Sequence, residues 1–273
     1  MLVLPLDEGK CLPGLMSCRS TILWVLAHPD PASLNGALFR HSVDRLEKTG
    51  HEVITSDLYA MGWSPVLSPE DITPAPHPFR PSHDIRQAYA EGRLAPDVAE
   101  EQDKLRAADA VVLQFPMWWY SVPAILKGWF DRVLTAGFAF GTDPETGRRL
   151  RFEQGPFRGT RALVITTLGD RPAAIGPRGI SGEIHELLFG LLHGTLAYTG
   201  MDVLRPIPIP RADVLDEGEL PDVLATLEHR LSRLFTDDPL PYRRQFSGDY
   251  SDQWDLKPHI RPGESGLSIH LEA

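Results

Sequence analysis

Apolar runs of strand length recur along the chain, each followed by a turn-rich stretch and then by apolar positions at helical spacing. Thr21–Ala27 (TILWVLA) is almost unbroken in its apolar character, which predicts a strand buried on both faces, as parallel sheets require. His28–Ser33 must end that strand, and Leu34, Ala37, Leu38, Val43 and Leu46 then mark a helix to Lys48. The same order returns with a short strand at 51–58, a proline-crowded surface excursion at 62–84 and a helix at 85–107. A buried strand at 108–115 and a helix at 122–134 follow, then a polar exposed insertion at 142–153 and a fourth strand at 161–167. A glycine-rich loop to Gly182, an apolar helix at 183–199, a fifth strand near 202–207 and a helix at 220–234 complete the pattern. Alternation of this kind predicts right-handed βαβ units in an α/β fold, a doubly wound five-stranded parallel sheet with helices on both faces. Residues 1–20 read as an N-terminal extension, with Met16 as a possible start, residues 21–236 as the domain, and 237–273 as a tail wrapping its surface.

Composition narrows the partners. A net charge of −10 argues against nucleic acid, whose recognition depends on clustered Lys and Arg. The two cysteines, Cys11 and Cys18, precede the first strand without zinc-ligand spacing and read as free thiols of a reducing compartment. The apolar stretch 186–199 is too short and interrupted to span a bilayer, and the N-terminus lacks the order of a signal peptide. The expectation is a cytoplasmic protein with no membrane insertion.

In doubly wound sheets the ligand lies beyond the carboxyl ends of the strands. Three segments fall at such ends. In the first, Ser33 and Asn35 open a helix whose free N–H groups could hold phosphate, although Ser33 serves equally well as a plain N-cap. The second carries three adjacent aromatics, Trp118, Trp119 and Tyr120, which cannot all enter one core; a flat ligand or a dimer interface would use them. The third, from Thr166 to Gly182, offers hydroxyls, N–H groups and glycines, or else is a mobile surface loop. Gly176–Gly182 lacks the glycine order of a Rossmann site, and no P-loop is present. His185 and His193 fit core or interface positions better than metal ligation, so no metal is assigned.

Val25–His28, Ser56–Met61, Gln114–Tyr120, Val122–Phe130 and Gly155–Phe157 together resemble the FAD-dependent NAD(P)H:quinone oxidoreductases, the DT-diaphorase-like family, over about 21–235. The resemblance implies a flavodoxin-like homodimer that passes a hydride from NADPH or NADH through FAD, with the smaller FMN as alternative, to a quinone-like acceptor in two half-reactions. It assigns His28, Ser33, Leu34, Asn35 and Ala37 to the FAD diphosphate and adenosine side. Pro116, Met117, Trp118, Trp119 and Tyr120 match the loop along the isoalloxazine ring, and Thr166, Thr167, Leu168 and Gly169 its other edge. Trp119, Tyr120, Gly169 and Ser181 are the catalytic candidates, and Phe140 and Tyr198 match aromatics contributed by the partner chain. One departure stands out: Ala173 or Ala174 replaces a family tyrosine, and Ser181 a family histidine. The expectation is that Ser181, Arg171 or Arg178 takes over charge stabilisation. Two other readings remain open, an ancillary flavoprotein such as a potassium-efflux subunit and a pathway-specific reductase of one natural product.

Overall fold

The computed structural model describes residues 19–143 and 145–272. The sequence readings on Cys11, Cys18, Met16 and most of the N-terminal extension fall outside the described residues. Strands β1 (Thr21–Leu26), β2 (Glu52–Asp57), β3 (Ala110–Pro116) and β4 (Arg161–Thr167) lie in the order β2-β1-β3-β4, all parallel. The order reverses between β1 and β3, which is the switch point at which doubly wound sheets take ligands.

Side-chain alternation divides the molecule into two cores. Ile22, Trp24, Leu26, Val112 and Ile165 face α1 (Leu34–Lys48) and the helix at Leu220–Ser232. Leu23, Val25, Val111, Leu113, Phe115 and Val164 face the opposite way, toward α3 (Pro96–Ala107), α4 (Ala124–Val133) and the segment at 184–199. Strands apolar at nearly every position are what a sheet covered on both faces requires.

Three elements differ from the sequence pattern, each for a local reason. The stretch read as one helix at 85–107 is two, α2 (Pro81–Ala90) and α3, because Gly92 turns the chain at φ +65 and Pro96 opens a new helix where its missing N–H costs nothing. α2 also reaches back to Pro81, inside the stretch expected to be an excursion. The apolar helix expected at 183–199 is broken into α-helical turns at Ile184–Leu187 and Phe189–Leu191, a π turn at Leu192–Leu196 and a 3₁₀ turn at Ala197–Thr199. Gly190 and Gly194 weaken it, and the Thr195 hydroxyl donates to Gly190 O at 3.1 Å inside the wide turn. The fifth strand is interrupted as well. β5 (Asp202–Val203) and β6 (Ile207–Ile209) both pair with β4, separated by Pro206, and β6 itself contains Pro208 and is followed by Pro210. The helix at Leu220–Ser232 is α5.

Within the expected insertion, Gly141–Thr142 and Arg149–Leu150 form a short antiparallel ladder with an exposed tip. The chain after α5 turns back over the broken helix. Leu240 N donates to Val203 O at 2.7 Å, and Tyr242 pairs with Leu271.

Candidate functional site

The turn after β1 is closed by its own side chains. Asp30 N donates to His28 Nδ1 at 3.1 Å, and Ala32 N to Asp30 Oδ1 at 2.8 Å. Ser33 Oγ donates to Asp30 O at 2.6 Å and accepts from Gly36 N at 3.2 Å, so Ser33 caps α1. The next N–H groups, of Leu34 and Asn35, have no acceptor among the described residues and remain available to an anion. Gly36 makes the turn possible, since a Cβ there would lie 2.1 Å from Pro31 O. His28, Leu34 and Ala37 are partly exposed around it.

Asn35 has a different position. It is buried, and its amide donates to Thr167 Oγ1 at 2.7 Å while Gln114 Nε2 donates to Asn35 O at 2.8 Å. Trp24 Nε1 donates in turn to Gln114 Oε1 at 3.0 Å. This buried polar chain ties β1, β3, β4 and α1 together directly beneath the strand ends; leaving any member unpaired would cost about 1–3 kcal/mol.

The turn after β3 starts at the buried Pro116, and Met117 N donates to Thr167 O at 2.8 Å. Trp118 and Ser121 exchange two backbone hydrogen bonds of 3.0 Å, closing a two-residue turn with Trp119 and Tyr120 at its centre. Both central residues are left-handed, at φ 52 and 55. Turns of this type ordinarily take Asn or Gly there, and bulky aromatics in the region are strained. Trp118, Trp119 and Tyr120 are 43%, 97% and 54% exposed, so packing does not account for them.

The turn after β4 is anchored to β6. Leu168 N donates to Ile209 O at 3.0 Å, Ala212 N to Leu168 O at 3.0 Å, and Arg211 N to Asp170 O at 2.9 Å. Thr166 and Thr167 are buried, and Thr166 Oγ1 has no hydrogen-bond partner among the described residues. Exposed Gly169 lies against Asp213. Beyond it, a 3₁₀ turn at Pro172–Ile175 folds the loop back, with Ser181 N donating to Ala174 O at 3.0 Å. Ser181 Oγ thereby reaches Asp170 Oδ2 at 2.7 Å and Tyr120 Oη at 3.2 Å. Arg171 and Arg178 are exposed on the same loop.

The structure thus brings together nearly all the strand-end candidates. Phe140 and Tyr198 form another group, with ring centroids 6.0 Å apart and Phe152 5.2 Å from Tyr198, on the side of the broken helix. Asp170 and Gln114 are site residues that the sequence pattern does not mark. Gln114 opens the Gln114–Tyr120 motif, but a partner eleven positions along the chain gives Asp170 no linear signal. His185 Nδ1 donates to Glu183 Oε1 at 2.6 Å, and His193 is packed among rings. Among the described residues no three His, Cys, Asp or Glu side chains gather as metal ligands, and no helix is long and apolar enough to cross a membrane.

A parallel sheet with this order, and a site at its switch point, define the flavodoxin-like class, and the model of that fold matches residues 20–231. The chain is 42% identical to the ribosyldihydronicotinamide dehydrogenase-like protein traD of Penicillium crustosum, over 84% of this chain and 86% of that one. It is 38% identical to the human ribosyldihydronicotinamide dehydrogenase [quinone], over 81% and 94%, and 37% identical to rat NAD(P)H dehydrogenase [quinone] 1, over 82% and 81%. A Klebsiella pneumoniae crystal structure assigned as a quinone reductase superposes with a TM-score of 0.89 at 43% identity, covering 93% of this chain and all of that one. The chain belongs to the family of NAD(P)H dehydrogenases (quinone) on the flavodoxin-like fold.

Proposed function

We propose that this chain is an NAD(P)H-dependent quinone reductase that holds FAD across the three strand-end turns and works by two successive half-reactions in one pocket. The observation that carries the reading is the strained turn at Trp119 and Tyr120, which presents aromatic faces to solvent at the switch point of the sheet. The remaining residues fit a flavin dinucleotide: two unpaired N–H groups at the start of α1 suit a diphosphate, and the unpartnered Thr166 hydroxyl suits a polar ring edge. Bound there, a flavin would supply the hydride-transfer chemistry between the nicotinamide cofactor and the acceptor.

The chain's own contribution is positional and electrostatic. Trp118, Trp119 and Tyr120 orient a flat ring by stacking, which keeps donor and acceptor in line at little entropic cost. The Asn35–Thr167 and Gln114–Asn35 bonds fix the turns from below, so the distance between their two edges does not drift. Ser181 donates its proton to Asp170. Arg171 and Arg178 are then the groups in that loop able to offset negative charge on the reduced ring. Phe140 and Tyr198 complete the pocket of a second copy in a homodimer. Loss of the family's tyrosine and histidine in the 171–181 loop favours a narrower acceptor range, as in a reductase dedicated to one compound.

The test is direct. Protein purified without added cofactor is expected to be yellow, to release a compound with the mass of FAD on denaturation, and to oxidise NADPH or NADH with menadione. A colourless protein that takes up neither FAD nor FMN overturns the reading, and release of FMN replaces the dinucleotide.

A further inference from the structure

Ser181 has a single hydroxyl proton, directed to Asp170 Oδ2 at 2.7 Å. The 3.2 Å contact between Tyr120 and Ser181 therefore runs the other way, with the phenol donating to Ser181 Oγ. The outcome is a directed chain from Tyr120 through Ser181 to the Asp170 carboxylate, joining the turn after β3 to the loop after β4. A carboxylate at its end makes such a chain stronger than hydroxyls alone.

The acceptor end is built in. Asp170 is held from the far side, where its carbonyl accepts from Arg211 N at 2.9 Å. The loop can return Ser181 to it only because residue 179 is glycine, since a Cβ there would lie 2.0 Å from Ala174 O. Tyr120, by contrast, has a strained backbone and a ring 54% exposed. Tyr120 is one wall of a cavity of about 290 Å³, in which Val122, Phe130, Leu187, Leu188 and Leu191 supply the apolar lining and Ser121, Lys127 and Thr195 the polar one.

Building on the proposed quinone reduction, we infer that Asp170 is a positioning residue for the acceptor. Acting through Ser181, it holds the Tyr120 ring as a fixed partition between the flavin face and the apolar side of this cavity. The acceptors it favours are quinones whose apolar side chain extends past Tyr120 into the cavity. Small bare quinones do not reach that far and depend less on the latch.

Two measurements test this separately. In flavin-free protein, hydrogen exchange followed by mass spectrometry is expected to rise about fivefold in residues 117–122 on Asp170→Ala or Ser181→Ala, the size of one lost hydrogen bond. Asp170→Asn keeps an oxygen acceptor for Ser181 and is expected to remain within about twofold of wild type. A merely local role for Asp170 would loosen 168–182 alone and leave 117–122 unchanged, which overturns the proposal, as does an Asn variant as loose as Ala. In the flavin-loaded enzyme, Asp170→Ala is expected to raise KM for decylubiquinone about fivefold with a smaller change in kcat, and to alter KM for menadione less than about twofold, with Asp170→Asn restoring the first. Equal effects on both quinones overturn the assignment of the cavity. Failure to bind flavin with the exchange coupling intact would remove the proposed function and leave the latch standing.

Discussion

A tryptophan that is 97% exposed adds no burial energy to the fold that carries it, so Trp119 has to be explained by what it meets from outside. Trp119→Ala is expected to leave unfolding in urea within about 0.5 kcal/mol of wild type, because surface changes away from packing rarely do more. FAD affinity, read from quenching of flavin fluorescence, should fall about tenfold, the value of one stacking contact of roughly 1.4 kcal/mol. A stability loss without a change in affinity would mean the ring supports the turn and not the ligand. At this scale the sequence was informative wherever turn chemistry was local. Ser33 capping α1 and the glycine-rich return at 176–182 follow from neighbours a few positions away. Asn35 was legible as a site residue, but not as one whose amide is bonded to Thr167, 132 positions away, since that pairing exists only once β4 lies beside β3.

The broken helix and the tail that covers it make one element-scale device. His193 stacks on Phe189 at 4.7 Å between centroids and meets the Tyr242 ring at 4.8 Å. Burial first, and the charge of His270 second, push its pKa down to about 4. His270 is also lowered, by burial and by Arg243, and is hydrogen-bonded to Tyr250 at 2.9 Å, while Arg243 pairs with Asp249. Glu183 is the acidic group facing Tyr242, whose phenol burial holds neutral. Both histidines thus have folded pKa values below the unfolded 6.5, so the unfolded chain takes up protons first. Their contribution is complete above pH 6.5 and is lost as pH falls toward 4, with a slope of up to about 1.4 kcal/mol per pH unit from His193. Limited proteolysis of the 237–272 segment is expected to accelerate across that window, and His193→Phe should flatten the dependence. An unchanged pH profile in His193→Phe would show that another group controls docking. The sequence concealed this element because apolar content at 183–199 reads as one helix, whereas Gly190 and Gly194 let it open into the turns that seat the histidine. At 85–107 the opposite held, since Gly92 and Pro96 were visible punctuation in a pattern read through.

For the whole molecule, alternation within each strand was enough to foresee two cores, because β1, β3 and β4 are apolar on both faces and only a covered parallel sheet accommodates that. Assembly is the next level. The aromatic group of Phe140, Phe152 and Tyr198, half-buried at the broken helix, is the surface we assign to a second copy. Sedimentation equilibrium is expected to give twice the chain mass, and Tyr198→Asp to shift it toward the monomer with quinone reduction falling at least about tenfold. A monomer with full turnover would sink this assignment.

The interrupted outer edge of the sheet has a further consequence, for solubility. β5 and β6 are only two and three residues long, Pro208 removes a donor from β6, and Pro206 and Pro210 flank it, so a stray extended peptide finds almost no ladder to zip onto there. The other margin, β2, runs for six residues and carries acidic side chains, Glu52 and Asp57, at its two ends. Any amyloid-like recruitment by native molecules would therefore begin at β2, where neutralising those two charges removes the guard.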